Sequence, residues 1–158
     1  MYRRRSRFAK RYSFETTAIG GTLNPNYDQT YFLVVPPAAS YGKRKVKNFN
    51  ISLIADSTLP SPLYCALIYL PAGTNPGNMN VSSATSASEV NSLYEPNQNV
   101  ITNFVLVPSN GLPFTKTVRL ARNLDSDDRI ILLLKTAEPL TESQHPGING
   151  TISYAIKY

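Results

Sequence analysis

Short apolar runs recur along this chain, and half of them end on proline or glycine. Tyr12 to Ile19 is closed by Gly20-Gly21, Gln29 to Val35 by Pro36-Pro37, Leu63 to Leu70 by Pro71, and Asn99 to Val107 by Pro108. Lys45 to Ala55 alternates, with Phe49, Ile51 and Leu53 on one side and Asn48, Asn50 and Ser52 on the other. Alternation with period two puts one face on a core and the other in water, as in a half-buried antiparallel strand. Phe114 to Arg122, Arg129 to Thr136 and Gly150 to Tyr158 complete the set. In the last of these, Ile152, Tyr154, Ile156 and Tyr158 share one face, and Ser153, Ala155 and Lys157 take the other. Short strands with frequent turn signals predict an all-β sandwich or barrel.

The connections are uneven. Residues 71–98 form a long insertion rich in Asn, Ser and Gly, in which Ser86 and Glu89 have capping-box spacing. One short helix over residues 87–93 is therefore expected there. Residues 137–149 form a second loop. With 158 residues, 42% of them hydrophobic, the chain has material for one core. A single cysteine allows no internal disulfide, so burial alone must hold the fold. The longest apolar stretches, Leu63 to Ala72 and Ile130 to Leu134, fall short of the roughly 18 residues a membrane helix needs, and no membrane insertion is expected. No apolar run follows the first charges, so no secretory signal is expected.

The formal charge of +6 is concentrated at one place. Residues 1–11 carry Arg3, Arg4, Arg5, Arg7, Lys10 and Arg11 and no acid. Taking these six from the 16 basic residues leaves ten against ten acidic ones, so residues 12–158 are formally neutral. A neutral body with a cationic arm points to a polyanion held at one end. Arginine grips phosphate with two parallel hydrogen bonds, which favours nucleic acid. The same run is also of the type that directs nuclear import. A second cluster, Lys43, Arg44, Lys45 and Lys47, opens the third strand and is expected to reinforce the arm. Arg119 and Arg122 are weaker candidates. Tyr2, Phe8, Tyr12 and Phe14 interleave with the arm's charges, and the plainer expectation is that they anchor it to the body rather than stack on bases.

Enzyme chemistry finds little to work with, and no enzymatic activity is expected. The one histidine, His145, stands in a polar loop before a proline, and Cys65 lies inside an apolar run, where cysteine behaves as a small hydrophobe. One His and one Cys do not make a tetrahedral zinc site. Asp125, Asp127 and Asp128 are close in sequence but lack the glycine and distal glutamate of a calcium loop, so they read as a polar turn. Neither metal nor cofactor is expected.

The chain resembles the capsid proteins of small circular single-stranded DNA viruses, the circovirus-like group. The resemblance rests on the Arg-rich N-terminus and on the stretches Lys45 to Leu53, Ser92 to Ile101, Thr117 to Ile130 and Gly150 to Tyr158. It implies an eight-stranded viral jelly roll over residues 12–158, two packed antiparallel four-stranded sheets, preceded by the basic arm of residues 1–11. It also implies a closed icosahedral T=1 shell of about 60 copies. A single-stranded DNA genome would be held through phosphates, assembly would occur in the host nucleus, and a host receptor would be a further partner. The competing expectation is a cellular jelly-roll binding module, lectin-like or cytokine-like, with a nucleic-acid-binding or nuclear-targeting tail.

Overall fold

A computed structural model describes residues 12–25, 29–38, 42–76, 99–108 and 111–158. It contains eight strands: β1 (Ser13–Thr22), β2 (Gln29–Val35), β3 (Arg44–Ala55), β4 (Leu63–Leu70), β5 (Val100–Leu106), β6 (Phe114–Leu124), β7 (Arg129–Thr136) and β8 (Gly147–Lys157). They form two antiparallel four-stranded sheets, ordered β1-β8-β3-β6 and β2-β7-β4-β5. Consecutive strands mostly alternate between the sheets, which is jelly-roll connectivity, so the expected fold class holds. The helix expected over residues 87–93 and the arm of residues 1–11 both lie outside the described residues. Among those described, no helix is long and apolar enough to cross a membrane.

The core lies between the sheets. From the first sheet come Phe49, Ile51 and Leu53 of β3 with Ile152 and Ile156 of β8. From the second come Leu63, Cys65 and Leu67 of β4 with Ile130, Leu132 and Leu134 of β7. A second, smaller cluster lies on the other side of the second sheet, where Ala66, Ile68 and Leu70 meet Ile131 and Leu133. β4 and β7 are thus apolar on both faces, which is why their sequences run without alternation.

β3 cannot keep one parity along its length, because Val46 and Phe49 are both fully buried yet three residues apart. The register against both neighbours shifts here, and Asn48 adopts a φ of 56°. Asparagine tolerates this left-handed conformation better than most residues. The bulge lets Lys45 and Lys47 point the same way as Asn50 and Ser52. Gly150, with φ of 155°, lies so close to β3 that a Cβ there would strike the Ser52 carbonyl oxygen. Only glycine fits this approach.

Candidate nucleic-acid interface

The outward side of the first sheet is built by the alternation just described. β8 contributes Thr151, Ser153, Ala155 and Lys157, and β3 contributes Lys45, Lys47, Asn50 and Ser52. The pairing is Lys45 with Lys157, Lys47 with Ala155, Asn50 with Ser153, and Ser52 with Thr151. β1 adds Phe14, Thr16 and Ala18, opposite Ala155, Ser153 and Thr151. β6 adds Thr115, Thr117, Ala121 and Asn123. Hydroxyl and amide groups bond across the strands, Thr16 to Ser153 at 2.8 Å and Thr117 to Asn50 at 3.0 Å. Among the described residues no carboxylate belongs to this side of the sheet. Glu15 turns the other way and accepts hydrogen bonds from Tyr154 and Tyr158.

The cations gather at one end. Lys45 and Lys157 face each other directly, Lys47 is one row away, and Lys43 is exposed just before β3. Arg119 is exposed on β6, where the bulge leaves it and Leu120 both turned to solvent. Lys47 Nζ sits 4.0 Å from the centre of the Tyr12 ring, a cation–π contact. Ser13 pairs with Ile156, so the chain enters β1 beside Lys157. Tyr12 immediately follows Arg11, and the arm's attachment point therefore coincides with the cationic end of the sheet.

Arg44 departs from the expectation. It is only 5% exposed. Its guanidinium donates to the Pro36 carbonyl at 2.8 Å and to the Asp128 carbonyl at 2.9 Å. Strand alternation explains this, since Arg44 shares parity with buried Val46 and faces inward. Its charge is committed to the fold rather than to a phosphate. Lys157, paired with Lys45, and exposed Arg119 are further cations on this sheet. Lys157 lies at the far end of the sequence, and only the β3–β8 register brings it to Lys45. Arg122, the other weaker candidate, has the parity of Val46 and is half-buried. Of the arm aromatics, Tyr12 anchors as expected through Lys47, whereas Phe14 is 81% exposed. Tyr2 and Phe8, like Arg3, Arg4, Arg5, Arg7, Lys10 and Arg11, lie outside the described residues.

Cys65, His145 and the Asp125–Asp128 turn lie in three separate places. Cys65 is buried between the sheets, and desolvation pushes its thiol up to about 12 despite a hydrogen bond from the Leu106 backbone. His145 is exposed in the loop before β8. Asp128 sits at the end of the β6–β7 turn with its carboxylate turned inward. It accepts from the Asp125 N–H at 2.7 Å, the Tyr69 hydroxyl at 2.8 Å and the Ala72 N–H at 3.0 Å. Burial opposes its ionisation, but these bonds and nearby Arg44 outweigh it and hold the carboxyl below the ordinary 3.8. Burial, then the bond to Asp128, pushes the Tyr69 phenol up to about 12. Asp128 thus ties the turn to β4 and the chain beyond it. Among the described residues, no group of three or more His, Cys, Asp or Glu is placed to hold a metal.

No protein-family model matches the chain. No curated protein matches it. Among solved structures, a chain of Desmodium yellow mottle tymovirus is similar over 91% of this chain and 87% of its own, with 14% identity and a TM-score of 0.38. The jelly-roll assignment rests on the strand order itself.

Proposed function

We propose that this protein is a viral capsid subunit that assembles into a closed shell and packages single-stranded DNA without sequence preference. The observation that carries the reading is positional. The six-charge arm joins the body at the one end of an acid-free sheet face where Lys45, Lys47 and Lys157 already gather. A polyanion held by the arm meets further cations as soon as it reaches the body. The body's formal neutrality lets copies approach without net repulsion. On the outward side of the second sheet Ala66, Ile68, Leu70, Ile131 and Leu133 are already buried within the chain, and the exposed rim residues Tyr31, Leu33 and Val105 can offer apolar contact to another copy.

About 60 copies in icosahedral symmetry is the arrangement the family resemblance implies. Six charges per arm then give roughly 360 per shell, well below the few thousand phosphates of even a small genome, so body cations have work to do. On this reading the arm also directs the protein to the host nucleus, the mature location is the virion, and the protein is not an enzyme.

The test is electron microscopy and sedimentation of the purified chain with and without single-stranded DNA. Uniform spherical shells are expected. Deleting residues 2–11 is expected to leave a folded sandwich by circular dichroism while shells become empty. The salt dependence of binding is expected to flatten by roughly 4 log–log units, about 0.7 per lost phosphate contact. A monomer across all salt and pH conditions overturns the shell, and unchanged binding after deletion overturns the arm's role.

A further inference from the structure

We infer that the cationic end of the first sheet is a stacking platform for single-stranded nucleic acid, with Phe14 receiving a base and Lys45, Lys47 and Lys157 receiving phosphates. The inference rests on the nucleic-acid-binding part of the proposed function and adds a second binding element, on the body.

Two observations point to an anionic, aromatic occupant. First, Lys45 and Lys157 are direct cross-strand partners. Like charges opposed in this way destabilise a sheet. No carboxylate belongs to this side of the sheet among the described residues, so nothing in the sheet relieves the repulsion. The acids on adjoining segments are Glu15, engaged on the other side by Tyr154 and Tyr158, and the Asp125–Asp128 turn beyond β6. A phosphate lying across the pair turns a local cost into an attraction. Second, Phe14 projects from the same side at 81% exposure. Phe14 and Lys47 both pair with Ala155, so only one small residue separates the ring from the ammonium in the register. An exposed ring beside a row of cations matches the pattern by which proteins hold single strands, with phosphates on the charges and a base on the ring. Tyr12, whose ring is already occupied by Lys47, holds that lysine in place. A duplex buries its base faces inside the stack, so it can use the lysines but not Phe14.

The test compares the full chain with Phe14→Ala and Phe14→Tyr. Probes are a fluorescent oligothymidylate and a DNA duplex carrying the same number of phosphates, titrated over a salt series. Phe14→Ala is expected to weaken oligothymidylate binding by about fivefold or more, from the usual value of one base–ring stack. Its salt slope and its duplex affinity are expected to be unchanged, and Phe14→Tyr to restore binding. Equal loss on both probes, or no loss on either, overturns the platform. Loss of shell assembly with undiminished oligothymidylate affinity also overturns it and makes Phe14 a protein–protein contact. If the unaltered chain binds neither probe, the nucleic-acid reading itself falls. If it binds both and Phe14→Ala changes nothing, only the platform falls.

Discussion

The two sheets share a core and differ in what they show the outside. The first turns out threonine, serine, asparagine and lysine. The second turns out Ala66, Ile68, Leu70, Ile131 and Leu133, all buried, with Tyr31, Leu33 and Val105 exposed at the rim. Each sheet needs one apolar face to fold. The second has two, and the extra one contributes nothing to the inter-sheet core. The difference separates two tasks: one outward side is chemically suited to a polyanion, the other to apolar packing.

The largest expected effect comes from placing the same charge on both outward sides. Ile131→Lys puts an ammonium among fully buried side chains and is expected to cost at least about 4 kcal/mol, enough to abolish soluble protein. Thr115→Lys, exposed on β6, is expected to change stability by less than about 0.5 kcal/mol. Thermal denaturation and soluble yield measure both. Similar outcomes for the two variants would erase the distinction between the sides.

A smaller effect concerns the turn that carries the chain from one sheet to the other. Asp128→Ala strands the Asp125 and Ala72 N–H groups and the Tyr69 hydroxyl, and is expected to cost about 3 kcal/mol. The folded carboxyl titrates below its ordinary 3.8. Its contribution is therefore complete above that value and is lost as pH falls through the folded value. Denaturant titrations at pH 7 and below pH 3 are expected to show the variant's deficit shrinking in acid. A deficit that does not change with pH would mean the carboxylate's charge is immaterial.

The smallest effect sharpens the cationic side alone. Lys157→Gln removes one member of the opposed lysine pair. It is expected to raise stability by a few tenths of a kcal/mol, about the size of a cross-strand pair term. It is also expected to flatten the salt slope for single-stranded DNA by about 0.7. Opposite signs for folding and binding mark a charge kept for a ligand. A loss of both would mark Lys157 as structural.

Much of the fold was legible because each strand carries its own boundary. Gln29–Val35, Leu63–Leu70 and Arg129–Thr136 are read correctly to the residue from apolar runs and turn signals. β8 begins earlier than its alternation suggests, at Gly147, because Gly150 interrupts the side-chain pattern without interrupting the pairing. The cationic site was half legible. Lys45 and Lys47 announce themselves as a charge run, but Arg44 in the same run is buried, and composition cannot separate them. Strand parity can, given buried Val46. Lys157 was hidden by sequence distance, since register is a property of pairing and not of either strand alone. The bulge at Asn48 left a faint trace, an asparagine between two apolar residues whose spacing violates period two.

The neutral body has one more property, which follows from the direction of β3 and β8. Lys43, Lys45, Lys47 and Lys157 lie at one end of this strand pair, and Asp125 and Asp127 reduce that positive end without reversing it. Asp56 follows β3 at the other end, and Glu138 and Glu142 lie in the segment leading into β8 there. The 12 residues of β3 hold these groups about 40 Å apart. Among the described residues, the two ends of the β3–β8 pair with their flanking turns thus differ in the sign of their charge. In the field of a polyanion such a strand pair turns before it touches, with Lys157 foremost.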